Sequence, residues 1–233
     1  MKIPLFPLGS VLFPDGLLPL RVFELRYTDM VRDCMRAGTP FGVVLIDSET
    51  QSAPESAQAT KRVQSRQAPL PHPSKPQHYA IGTLATIVDF DMREPGVLLI
   101  AVNGGQRFRV LSTTAQANGL IVGEVEVLAP DAPADVPPEY ELCSELLTRL
   151  LQEMDRQFAH ATRAGEAPFC TMVAKPYRVD EAVWLSNRHA ELMPIPTSAK
   201  QALLALTDPI ERLSLIVAFL KGHDVFSFTF AQQ

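Results

Sequence analysis

The side chains best placed to do chemistry near the start of the chain are Arg21, Glu24 and Arg26. Glu24 stands where an amphipathic helix begins, and the positive end of a helix dipole favours an anion there. Arg26 or Arg21 can pair with it and pin the helix to the segment before it. A structural ion pair is the simpler expectation, and a ligand clamp the sharper one. Arg107 follows Gly104-Gly105. Its guanidinium fork can grip backbone carbonyls or reach Glu24. These four residues form the candidate polar cluster, structural or binding. Asp89 and Asp91 flank Phe90, and two carboxylates on one strand face are the minimum for acid–base work. An ordinary turn approach explains them more simply.

The remaining reactive residues lack the spacing that catalysis needs. The histidines are His72, His78, His160, His189 and His223, with no H-E-x-x-H pair and no cysteine at metal-ligand spacing. His72 and His78 share a polar segment and read as solvated. Cys34, Cys143 and Cys170 are far apart, odd in number and free of any C-x-x-C pair, which fits reduced thiols in the cytoplasm. Phosphate loops, nucleophile elbows and dinucleotide fingerprints are missing, and Gly104-Gly105 lacks the third glycine and following helix. We therefore expect no catalytic residues, no metal and no cofactor. The net charge of −5 weighs against nucleic acid, which a basic face would attract. No secretory signal is expected at the N-terminus, and no apolar run approaches the roughly 20 residues of a membrane span.

The elements that must position these residues begin with Ile3–Pro14, apolar like a strand but broken by prolines. Proline gives no ladder N–H, so short extended pieces with sharp turns are expected. A helix follows over Glu24–Ala37, with Phe23, Tyr27, Met30, Val31 and Cys34 on its inner face and Gly38 as its stop. Pro40–Ile46 reads as a buried strand. Residues 47–77 are rich in Ser, Gln, Ala and Pro and read as a long mobile insertion. Its basic Lys61, Arg62, Arg66 and Lys75 are nearly balanced by Asp47, Glu49 and Glu55. Strands are predicted over Tyr79–Phe90, Val97–Val102, Arg107–Ser112 and Leu120–Leu128. The turns between them fall at 91–96, at Asn103-Gly104-Gly105 and at Asn118-Gly119. Short turns between neighbouring strands predict antiparallel pairing in a small barrel.

Prolines over 129–138 mark a boundary, after which the period becomes helical. Leu142, Leu146, Leu147, Leu150, Leu151, Met154 and Phe158 line one long helix ending near Gly165. Asp180 and Thr197 open two more, and Asp208-Pro209-Ile210-Glu211 opens a fourth with a strong start signal. Beyond Gly222, Phe226, Phe228 and Phe230 alternate with period two. Three such rings in a free tail invite aggregation, so an extended arm docked on its own β part, or on a second copy, is expected. The organisation is then a β part over 1–128, helices over 139–222 and a tail over 223–233.

The segment Pro4–Tyr27 resembles the opening of the N-terminal substrate-binding domain of Lon proteases. The likeness continues through Phe41–Leu45, Ile81–Ile87, Gly105–Val110, Leu192-Met193-Pro194, Lys200–Leu204 and Asp208 to Leu213. The resemblance implies an α+β fold, a PUA-like β-barrel followed by a helical subdomain, and a part in engaging polypeptide substrates. It implies no catalysis in this region, and the length suggests a stand-alone relative without the ATPase and protease domains. The expected function is a non-enzymatic polypeptide-binding or adaptor module. Its expected partner is a substrate chain or another protein, with a homodimer left open. RNA binding and a small hydrolase with a dispersed site are the alternatives.

Overall fold

The computed structural model describes residues 1–47, 78–165, 169–171 and 173–223. The insertion expected to be mobile and the phenylalanine tail both fall essentially outside these residues. The first strands are β1 (Lys2–Leu8) and β2 (Leu17–Val22), followed by helix α1 (Leu25–Ala37) and strand β3 (Phe41–Ile46). Strands β4 (His78–Glu94), β5 (Val97–Ala115) and β6 (Ile121–Val127) complete one six-stranded sheet. Its order is β2-β5-β4-β3-β1-β6, and β5 also pairs with β6, so the sheet closes on itself and leaves β2 as an outer strand.

The sheet is mixed rather than wholly antiparallel. β1 runs parallel to β3, from Leu5 opposite Gly42 to Leu8 opposite Leu45. The reason is the crossover: β2 and α1 lie between them in sequence and carry the chain over one mouth of the sheet. α1 starts at Leu25, with Glu24 extended before it, and Gly38 closes it at φ 64 by donating to Cys34 O. Tyr27, Met30, Val31 and Cys34 are buried as predicted, but Phe23 is exposed because it precedes the first helical turn.

The expected hairpin at Asn103-Gly104-Gly105 does not form, and β5 runs straight through it. The hairpin turn lies at Pro95-Gly96, where Gly96 has φ 80. Gly104 serves a close approach instead. A Cβ there would stand 2.1 Å from Phe13 O. Gly104 N donates to Gly16 O at 2.8 Å, while Asp15 N donates to Gly104 O at 2.7 Å. The proline-broken opening is thus stitched across the middle of β5. His78, expected in a solvated loop, is buried as the first residue of β4.

After a short 3-10 turn at Pro138–Tyr140 come α2 (Glu141–Ala164), α3 (Ala182–Leu192), α4 (Thr197–Ala205) and α5 (Pro209–Gly222). Cys143, Leu147 and Leu151 are the buried stripe of α2, whereas Leu142 and Leu150 remain partly exposed. α3 begins at Ala182, after Glu181; the Asp180 carbonyl accepts from Val136 N instead of opening the helix. Asp208 caps α5 by accepting from Ile210 N at 2.8 Å. The helical core includes Leu147, Trp184, Leu185, Leu213 and Ile216, and takes in Val11, Phe13 and Leu45 from the β-strand region. A second core, under α1, joins Phe6, Tyr27, Val31, Phe41, Ile100 and Val102.

Candidate functional site

Three of the four expected polar residues converge at one mouth of the sheet. Arg21 is the penultimate residue of β2, Glu24 precedes α1, and Arg26 sits in its first turn. They line a cleft of about 410 Å³ together with Phe6, Phe23 and Tyr27. Glu24 gives no capping bond; its carboxylate accepts from Arg26 Nε at 3.0 Å and pairs with Nη2 at 2.7 Å. Arg26 Nη1 donates to Gly119 O at 3.0 Å, in the turn between β5 and β6. Its guanidinium lies 4.7 Å from the centroid of the Tyr27 ring, which stacks on Phe6 at 4.1 Å. Burial pushes the Tyr27 hydroxyl above its ordinary range, with Arg26 pulling the other way. Arg26 therefore joins the start of α1 to the far turn of the sheet. Phe23 lines this cleft and is 68% exposed, and Leu25, between the lining residues Glu24 and Arg26, is 74% exposed.

Arg107 belongs to a different place. It does not approach Glu24, which Arg26 holds. From β5 it donates Nη1 to Leu204 O at 2.8 Å and to Leu206 O, and Nη2 to Asp131. Arg212 on α5 meets the same Asp131, its Nη2 lying 2.9 Å from Oδ2. It also donates Nε to Leu203 O at 3.0 Å and Nη1 to Ser186 Oγ at 3.1 Å. The side chains of Arg107, Asp131 and Arg212 are only 3%, 4% and 1% exposed. Burial pulls the Arg107 guanidinium below its usual range, and Asp131 opposes that pull. One carboxylate thus ties a strand, the proline-rich segment and two helices together.

Asp131 and Arg212 had no place in the expected site, nor did a second buried group on α3. Arg188 donates to Asp15 O at 2.8 Å and Pro14 O at 2.7 Å and pairs with Glu191 at 3.0 Å. Burial pushes the Glu191 carboxyl up to about 7, although Arg188 and Lys200 pull it down. A legible signal existed for Arg212. Pro209, Arg212, Leu213, Ile216 and Leu220 are the buried face of α5, so helical period alone puts an arginine among apolar positions. Arg188 had no such mark, because α3 is buried over nearly all its length.

The cleft holds two arginines, a carboxylate, aromatic rings and half-buried aliphatic groups, a set suited to non-covalent contact. Among the described residues no group of three or more His, Cys, Asp and Glu side chains gathers to hold a metal. Asp89 and Asp91 lie inside β4 and not at the turn expected for them; Asp89 stands opposite Ala101 beside a register shift in the ladder, and its carboxylate accepts from Phe90 N at 2.8 Å. The Cys143 thiol is pushed up to about 11 by burial, so it stays protonated.

The model of the ATP-dependent protease La (LON) substrate-binding domain matches residues 2–222. The chain belongs to that family. It is 25% identical over 229 residues to a Lon protease of Xanthomonas oryzae, covering 96% of this chain and 23% of that one. To Lon protease 2 of Myxococcus xanthus it is 27% identical over 222 residues, again spanning 23% of the relative. The chain thus spans about a quarter of the length of these curated relatives. Among solved structures, a Lon N-terminal domain protein from Xanthomonas campestris has 34% identity and a TM-score of 0.65. That match covers 94% of this chain and 98% of the other. The N-terminal domain of Mycobacterium avium complex Lon protease shares the fold at 15% identity and a TM-score of 0.53, covering 96% and 100% of the two chains. Among the described residues no helix is long and apolar enough to cross a membrane.

Proposed function

We propose that this chain recognises polypeptides, as a binding or adaptor module with no catalytic step of its own, through the cleft at the start of α1. The observation that carries the reading is Phe23, largely exposed while lining a cleft walled by Phe6, Tyr27 and Arg21, with the equally exposed Leu25 two residues on. Large apolar side chains grouped at the rim of a concave site mark a contact surface. Arg26, engaged with Glu24 and Gly119 O, keeps that rim in place without a partner. Membership of a substrate-binding family supports the same reading.

The test uses the full chain and, as probe, fluorescein-labelled α-lactalbumin that has been reduced and alkylated so that it cannot fold. Fluorescence anisotropy reports binding. Phe23→Ser with Leu25→Ser should weaken binding by about tenfold or more, since contact residues of this kind carry upward of 1.4 kcal/mol together. The melting temperature should stay near that of the parent, because both residues are already in water. Equal binding by the variant, or no binding by the parent at about 100 μM probe, an affinity weaker than roughly −5.5 kcal/mol, would refute the assignment.

A further inference from the structure

A second apolar groove runs between α4 and α5, far from the cleft in sequence and not used by the reading above. It encloses about 350 Å³. Met193, Leu203 and Ile216 are its buried floor, Ala199 and Ala202 its low wall, and Leu215 and Phe219 its high wall. Leu215 is 49% exposed and Ala202 lies open to water. Phe219 stacks on His223 at 4.0 Å, and His223 is the last described residue. The remaining chain, 224–233, therefore departs one helical turn from the groove wall.

We propose that this groove docks the chain's own C-terminal segment, with Phe226 and Phe228 as the inserting rings. From Phe219 to Leu215 is about 6 Å along a helix at roughly 1.5 Å per residue. Phe226 and Phe228 on one face of an extended segment are about 6.6 Å apart. The reach agrees too. At about 3.3 Å per residue, Phe226 lies up to about 10 Å from His223 and Phe228 about 17 Å. The groove positions Phe219 and Leu215 lie about 6 and 12 Å away. Ser227 and Thr229 alternate with the rings and would face water. The low alanine wall admits aromatic rings that larger residues would exclude. Tethering makes the docking intramolecular and raises its effective concentration over that of any free apolar chain.

The test compares the full chain with two variants, Phe226→Ser/Phe228→Ser in the tail and Ala202→Asp in the groove, and their combination. Hydrogen exchange at α4 and α5 amides is the readout, with sedimentation equilibrium alongside. Both substitutions fall on surface or terminal positions and should fold. The tail variant should speed exchange in α4 and α5 by about fivefold or more, the groove variant by a similar factor, and the combination no further, as expected when two changes break one contact. Unchanged exchange in the tail variant, or effects that add, would overturn the proposal. A parent dimer that the tail variant turns to monomer would overturn it as well, by assigning the groove to the tail of a second copy.

Discussion

Replacing Arg107 with alanine perturbs the junction of sheet and helices, and its cost can be worked out contact by contact. The parent guanidinium serves Leu204 O, Leu206 O and Asp131. Without it, Asp131 keeps Arg212, and Leu206 O keeps Arg212 Nη2 at 2.6 Å. Leu204 O loses this partner, one carboxylate oxygen loses its cation, and a side-chain-sized void opens. Together these cost about 2–4 kcal/mol, less than the full loss of a buried pair because Arg212 remains. Asp131→Ala should cost more, about 3–5 kcal/mol, since it leaves two buried cations facing each other. Lysine at 107 should not rescue, because a single ammonium cannot fork across two carbonyls and a carboxylate. Urea unfolding followed by fluorescence checks the order. The single tryptophan, Trp184, is buried in the helical core and reports its opening. An Arg107→Ala variant within about 0.5 kcal/mol of the parent would refute the reasoning, as that is the scatter of ordinary surface changes. So would an Asp131→Ala variant milder than Arg107→Ala.

Two further outcomes follow from buried geometry. Glu191 has its folded-state pKa raised to about 7, so between its ordinary value and 7 the folded chain binds more protons than the unfolded one. Its contribution is present at low pH and lost as pH rises through 7. Glu191→Gln should therefore flatten the fall in stability between pH 5 and 8 by up to about 3 kcal/mol, measured by urea titrations at each pH. A parent and variant with parallel pH profiles would contradict this. Gly104→Ala drives a methyl group onto the Phe13 carbonyl, which is backbone and cannot swing aside. It should destabilise the chain by roughly 3 kcal/mol or more in thermal unfolding, and an unchanged melting temperature would show that the β1–β2 connection shifts freely.

How far the sequence speaks for this structure depends on whether the signal is local. Asp208-Pro209 opened α5 where predicted, and Gly38, Gly119 and Gly165 close their elements with positive φ, because caps and turns are written in adjacent residues. Gly104 misled for the same reason. Asn-Gly-Gly is turn chemistry by local rules, yet its glycine is required by Phe13, a residue distant in sequence that crosses the strand. Arg107 was legible as a fork but not its partners, since Asp131 sits among prolines that read only as a boundary. Arg21, Glu24 and Arg26 were found together because they are neighbours in sequence, and the cleft they share needed only the end of one strand and the start of one helix. The buried cations divide on the same principle. Arg212 breaks a clear apolar period and can be noticed, while Arg188 lies in a helix buried almost all round, where no period exists to break. The polar contacts that join the β region to the helices include Arg107 reaching Leu204 O and Leu206 O, Arg188 reaching Pro14 O and Asp15 O, and Gln201 reaching Ile81 O, and a carbonyl leaves no mark in the identity of the residue that bears it. That class of contact is where sequence reading fails for physical reasons, and it is also where single substitutions here should cost most.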